Sequence, residues 1–273
     1  MHLPTQARPL TSQAGSLAVK VPEITAMFWV IKVLTTGMGE ALSDFFIQHG
    51  MALGGMLGAG IYIFLSFVAF AITMRFQLRT RRYHAYAYWF GVSMVAVFGT
   101  AAADALFGGL DLSFDVTSAL FAALTVLLFV VWYRSEGTLS VHSIVAGRPE
   151  RFYWATVLAT FALGTAVGDL TAVTFDLGFL LSGILFLAAI LIPLAAWRLG
   201  VNSVAAFWAA YVLTRPLGAS FADWLAKEDA GLGYGDGWVA LVSLAAIVVL
   251  VVYVAKREAH VEVQPEEAIA AEA

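Results

Sequence analysis

Residues 28–44 read FWVIKVLTTGMGEALSD. Trp29 is followed ten residues later by Gly39 and fifteen later by Asp44. The same spacing, W-x9-G-x4-D, returns in YWFGVSMVAVFGTAAAD at 88–104, in FYWATVLATFALGTAVGD at 152–169 and in FWAAYVLTRPLGASFAD at 207–223. The matched residues are Trp89, Gly99 and Asp104; Trp154, Gly164 and Asp169; Trp208, Gly218 and Asp223. Successive tryptophans lie 60, 65 and 54 residues apart, room for one helical hairpin each. Eight Trp and 24 Gly in the chain make one such hit cheap, but four hits in phase with the hydropathy mark a tandem repeat.

Each motif sits in an apolar run followed by a second one. About 20 apolar residues let a helix cross a bilayer. Such runs fall at 23–44, 53–74, 84–105, 114–133, 152–171, 175–197, 203–224 and 237–255. The 273-residue chain is 61% hydrophobic and only 12% charged, too few charges to cover a soluble surface, so lipid is its outer solvent. The runs are too long, and alternate too little, for a β-barrel. The expected fold is all-α: eight transmembrane helices in four two-helix repeats, at about 23–75, 83–134, 150–198 and 202–256. Two spans per repeat bring every copy into the membrane in the same direction. The repeats are therefore parallel, with pseudo-rotational symmetry about the membrane normal.

Residues 1–22 are expected as a cytoplasmic N-terminal segment without a removable leader, and 257–273 as a disordered cytoplasmic tail. Arg75, Arg79, Arg81, Arg82, Arg134, Arg148, Arg151, Arg198, Lys256 and Arg257 fall at the connections on the side of the termini. The other connections hold Lys227 beside Asp111, Glu228, Asp229 and Asp236. The positive-inside bias then puts both termini in the cytoplasm of a bacterial inner membrane.

The four motif stretches resemble a bacterial membrane-protein family described as a tandem repeat of unknown function, four copies of two spans with a signature tryptophan. The resemblance covers about residues 22–256 and implies the fold but no activity. Chemistry has to come from the residues.

Positions three, seven, eleven and fifteen after each tryptophan share a helix face. In the first copy they are Lys32, Thr36, Glu40 and Asp44, a polar stripe in an apolar span. In the fourth they are Tyr211, Arg215, Ala219 and Asp223. The middle copies, Val92, Ala96, Thr100, Asp104 and Val157, Phe161, Thr165, Asp169, are mostly apolar until their outer ends. Intramembrane charge is costly and marks function by default. The candidate substrate or ion site is therefore Lys32, Thr36, Glu40, Asp44, Asp104, Asp169, Arg215 and Asp223. Lys32 and Arg215 should each meet a carboxylate or a backbone carbonyl freed at Pro216, with Glu40 the first candidate. A structural ion-pair network between the first and seventh spans would place the same charges.

The tryptophans read either as interfacial anchors or as site-lining groups, and the glycines, with Gly54 and Gly58, as close-packing positions. The aspartates alternatively cap outer helix ends. Gly218-Ala219-Ser220 resembles part of an intramembrane serine-protease motif but lacks a histidine on another span. Asp44 with His49 is a weaker pairing for capturing a metal at the mouth. The chain has no cysteine, so thiolate sites and disulfides are excluded. No enzyme activity, no cofactor and no nucleic-acid partner are expected, and homo-oligomerisation stays open. The residues favour a transporter or channel for a small solute, a cation in the first place: a metal ion or a proton-coupled substrate. The alternative is a membrane scaffold or sensor subunit presenting its cytoplasmic loops, above all 135–151.

Overall fold

The computed structural model describes residues 18–271, with side chains to 258; the rest of the expected terminal segments, 1–17 and 272–273, lies outside the described residues. Among these the chain is all-helical: α1 (Ala26–Arg79), α2 (Ala85–Asp104), α3 (Phe114–Glu136), α4 (Arg148–Asp169), α5 (Gly178–Arg198), α6 (Ser203–Ala226) and α7 (Asp236–Ala271). Six of them are long and apolar enough to cross a membrane, α6 being the exception. The helices mark a membrane protein. The backbone of α7 continues to Ala271, through most of the stretch expected as a disordered tail.

The first two expected spans are one helical run broken at a single point. Its 54 residues lose helical geometry at Gly54 (φ −150°) and Gly55 (φ +57°, ψ −143°), the second a conformation open only to glycine. The arms fold back on each other. A Cβ on Gly50 would stand 2.8 Å from the Gly58 carbonyl oxygen. The break therefore falls at 54–55, later than the gap expected between 44 and 53, because backbone freedom rather than polarity makes the turn.

Burial separates two classes of helix. The most apolar window of α4 is 67% buried and that of α2 56%, against 17% for α3 and 22% for α5 and α7. The motif helices (first arm of α1, α2, α4, α6) are the core, and the second helix of each copy is the shell. That shell helix packs on the motif helix of the following copy: α3 on α4, α5 on α6, and α7 on α1. Phe67 and Phe70 in the second arm of α1 likewise meet Phe98 of α2, with ring centroids 5.4 and 5.2 Å apart.

The motif glycines make the core helices fit. Each lies against the residue seven after the tryptophan in the next copy. A Cβ on Gly39 would stand 2.8 Å from the Ala96 carbonyl carbon, on Gly99 2.9 Å from Phe161 Cβ, on Gly164 2.5 Å from Arg215 Cβ, and on Gly218 2.8 Å from Thr36 Cβ. The last contact returns to the first copy. The expected role of these glycines, close approach between helices, is what the packing shows.

The tryptophans repeat that cycle at the other level. The aromatic residue before each motif Trp packs on the next copy's Trp: Phe28 on Trp89 at 5.5 Å, Tyr88 on Trp154 at 5.5 Å, Tyr153 on Trp208 at 6.2 Å and Phe207 on Trp29 at 5.6 Å. Trp89, Trp154 and Trp208 are buried and Trp29 half-buried. An interfacial belt is therefore not their place. Tilted ring contacts hold them as an aromatic layer inside the bundle.

Candidate functional site

The four positions sharing a helix face stack in layers from the Trp end to the Asp end. Next to the aromatic layer, Lys32 lies with Val92, Val157 and Tyr211, all fully buried or nearly so. Its ammonium has no hydrogen-bond partner among the described residues. It sits instead 4.0 Å from the Phe161 ring centroid and 4.3 Å from that of Tyr211. The expected carboxylate or carbonyl is absent, and two aromatic faces replace it. Glu40 is too far up the helix for Lys32, and Arg215 holds it.

Arg215 and Glu40 form the centre. Arg215 Nη2 donates to Glu40 Oε2 at 2.7 Å and to Thr165 Oγ1 at 2.7 Å, and also to Thr100 Oγ1. Nη1 donates to the Thr36 carbonyl at 3.2 Å. Thr100 and Thr165 each donate to Glu40 Oε2 at 3.2 Å. Both charged residues are buried, at 0% and 3% exposure. Arg215 thus meets the expectation of a carboxylate partner. Thr100 and Thr165 were seen in the sequence only as isolated polar residues of apolar copies. Their shared register with Glu40, eleven after the tryptophan, was the signal that joins them.

Beyond this layer the carboxylates gather. Oxygens of Glu40, Asp169 and Asp223 lie within 4.8 Å of one another, as do those of Asp44, Asp223 and Asp236. Lys227 caps the second group. It pairs with Asp44, with Asp236 at 3.4 Å and with Asp223 at 3.8 Å, while Gln48 donates to Asp236 at 2.8 Å. Burial alone would lower the Lys227 ammonium's pKa. The carboxylates of Asp44, Asp223 and Asp236 outweigh that and hold it above the ordinary lysine range. Asp169 makes no ion pair or hydrogen bond among the described residues, nor does Asp104 at the same register on α2. In the sequence Lys227 and Asp236 stand only as loop charges. Nothing local distinguishes them, because the chain brings them to Asp44 from 183 residues away and more. His49 turns back on its own helix, 2.6 Å from the Phe45 carbonyl, so the Asp44–His49 pairing does not form.

The segments directly after the two middle aspartates carry a backbone feature that the sequence pattern does not reveal. Asp104 and Asp169 each lead into a π-helical segment, Ala105–Gly109 and Leu170–Thr174. Such segments often accompany functional sites.

The Trp end is closed by a second buried cluster. Lys20 Nζ lies 2.5 Å from Glu150 Oε1 and donates to the Gln77 carbonyl at 2.8 Å, and Lys20 N donates to the Ile144 carbonyl at 2.8 Å. Trp208 Nε1 donates to the Leu139 carbonyl at 2.9 Å. The 135–151 connection is thereby tied to the core.

Fold and site together define a helical membrane protein of tandem repeats with a polar, carboxylate-rich interior at one end. The chain belongs to the family described as Repeat of Unknown Function (DUF347), which matches it four times, at residues 27–83, 87–138, 152–199 and 206–259. Comparison with curated proteins and with solved structures finds no match.

Proposed function

We propose that the protein is a cation transporter or channel of the bacterial inner membrane, moving a metal ion or a proton-coupled cation. Its eight spans form four parallel repeats around a pseudo-rotation axis, with both termini cytoplasmic. The closed cycles of glycine and aromatic contacts support the symmetry. The break at Gly54–Gly55 supports the count of spans.

One observation carries the transport reading. The Asp169 carboxylate, without an ion-pair partner among the described residues, lies within 4.8 Å of Glu40 and Asp223. Carboxylates so close repel strongly in a low-dielectric interior unless positive charge offsets them. Arg215 and Lys227 supply two such charges against Glu40, Asp44, Asp169, Asp223 and Asp236. A bound metal ion or protons would supply the remainder. On this reading the Asp end is a periplasmic vestibule, and the layer of Lys32, Phe161, Tyr211 and the tryptophans is its closed inner side.

The ordered 135–151 connection, with Arg148 Nε 2.6 Å from Glu136 Oε1, favours a second reading as a scaffold that presents this loop to a partner. Metal-ion and proton flux in proteoliposomes separates the two. Expected is a cation flux that Asp169→Asn and Asp223→Asn reduce. Wild-type flux no higher than that of empty vesicles, for every cation tried, would overturn transport and leave the scaffold.

A further inference from the structure

Glu40, Thr100 and Thr165, the residues eleven after the tryptophan in the first three copies, converge on a single atom. Arg215 Nη2 has Glu40 Oε2 and Thr165 Oγ1 at 2.7 Å and Thr100 Oγ1 in contact. A guanidinium nitrogen of this kind carries two hydrogens, so three oxygens exceed what it can serve with good geometry. Carboxylate and hydroxyl oxygens around one positive centre are the surroundings of a bound hard cation. The fourth copy offers Ala219 at this position, which brings no oxygen. The positive group comes instead from Arg215, one turn earlier on α6.

The grip on Glu40 is also single-handed. Arg215 reaches only Oε2 of Glu40, and only through Nη2, while its Nε has no hydrogen-bond partner among the described residues. This is not the two-bond fork that makes arginine–carboxylate pairs hard to part. Glu40 also has an oxygen within 4.8 Å of carboxylate oxygens of Asp169 and Asp223. Glu40 therefore stands between an internal cation and the carboxylates of the vestibule.

We propose that Arg215 is a tethered competitor for the transported cation: the ion gains Glu40 as the guanidinium releases it. The inference rests on the cation-transport reading and states how that site is regulated. The ligands are oxygen only, which selects hard divalent cations over soft ones. Return of Arg215 to Glu40 would then expel the ion, and no covalent chemistry is involved.

The test is Mn2+ binding to the full chain in detergent, followed by the paramagnetic resonance of the free ion. Wild type is compared with Arg215→Gln, Arg215→Lys, Glu40→Gln and the Arg215→Gln/Glu40→Gln double variant. Expected is binding by wild type and binding tighter by about tenfold in Arg215→Gln, a gain absent from the double variant. Arg215→Lys keeps the positive charge but competes less well, so it should gain about threefold. It also serves if Arg215→Gln does not fold. Wild-type binding with no gain in either Arg215 variant would overturn the competitor while leaving the cation site standing. So would a gain that survives Glu40→Gln. Absence of Mn2+ binding in every variant would overturn the divalent-cation site and the inference with it, while the flux measurement decides the transport reading.

Discussion

Arg215 and Lys32 are two buried cations solved in opposite ways. Among the described residues Arg215 has a carboxylate, two hydroxyls and a carbonyl, whereas Lys32 has only the faces of Phe161 and Tyr211. Removing one member of a buried ion pair strands the other and costs about 3–5 kcal/mol. Glu40→Gln should therefore lower the thermal midpoint of the purified protein clearly. A conservative change at lipid-facing Val126 should leave it unmoved. Lys32 leaves no partner behind when its charge goes. Lys32→Met keeps most of the stem, so thermal melts should show stability equal to or above wild type. A loss as large as that of Glu40→Gln would mean that the cation–ring contacts carry more than their usual worth of about 2 kcal/mol.

At the scale of the helix, the motif glycine acts as a socket. Its spacing is visible in the sequence, and the contacts supply its reason: the residue seven after the next copy's tryptophan occupies the space of a Cβ. Gly39→Ala meets the Ala96 backbone, at 2.8 Å from its carbonyl carbon, which cannot yield as a flexible side-chain end would. It should destabilise by about 1–3 kcal/mol through overpacking. Gly60, on the second arm of α1, has nothing within 4 Å of a Cβ. Gly60→Ala should be neutral or stabilising by up to about 1 kcal/mol, since alanine favours the helix. Melting curves of the two variants side by side check both. Equal effects would mean that the glycines matter for helix propensity and not for contact.

For the whole molecule, the two cycles of contact, glycine to position seven and aromatic residue to tryptophan, both return from the fourth copy to the first. The shell follows the same order, each second helix lying on the next copy's motif helix. No single hairpin buries its own core, so the copies depend on their neighbours. The proposed placement of the Trp end in the cytoplasm is tested by labelling, helped by the absence of native cysteine. Arg82 and Asp229 are exposed at opposite ends. In whole cells Asp229→Cys should react with an impermeant thiol reagent, while Arg82→Cys should react only after the inner membrane is permeabilised. The reverse pattern would invert the topology.

The sequence by itself determined the repeat, the helical class and the membrane as solvent, because hydropathy and fixed spacing are local properties that survive without contacts. It also singled out Glu40 and Arg215, since a charge inside an apolar run is costly wherever its partner lies. Other features depended on which copies touch. Glu40, Thr100 and Thr165 are 60 and 125 residues apart in hydrogen-bonded pairs, and Lys227 meets Asp44 across 183. No spacing within one helix encodes those distances. The tryptophans could serve a belt or a core equally well by composition, and only the ring of neighbours buried them. Lys32 was assigned a polar partner because an ammonium ordinarily takes one. The tertiary structure gave Glu40 to Arg215 and left Lys32 to the aromatic rings, since one carboxylate oxygen cannot stand in both layers of the stack.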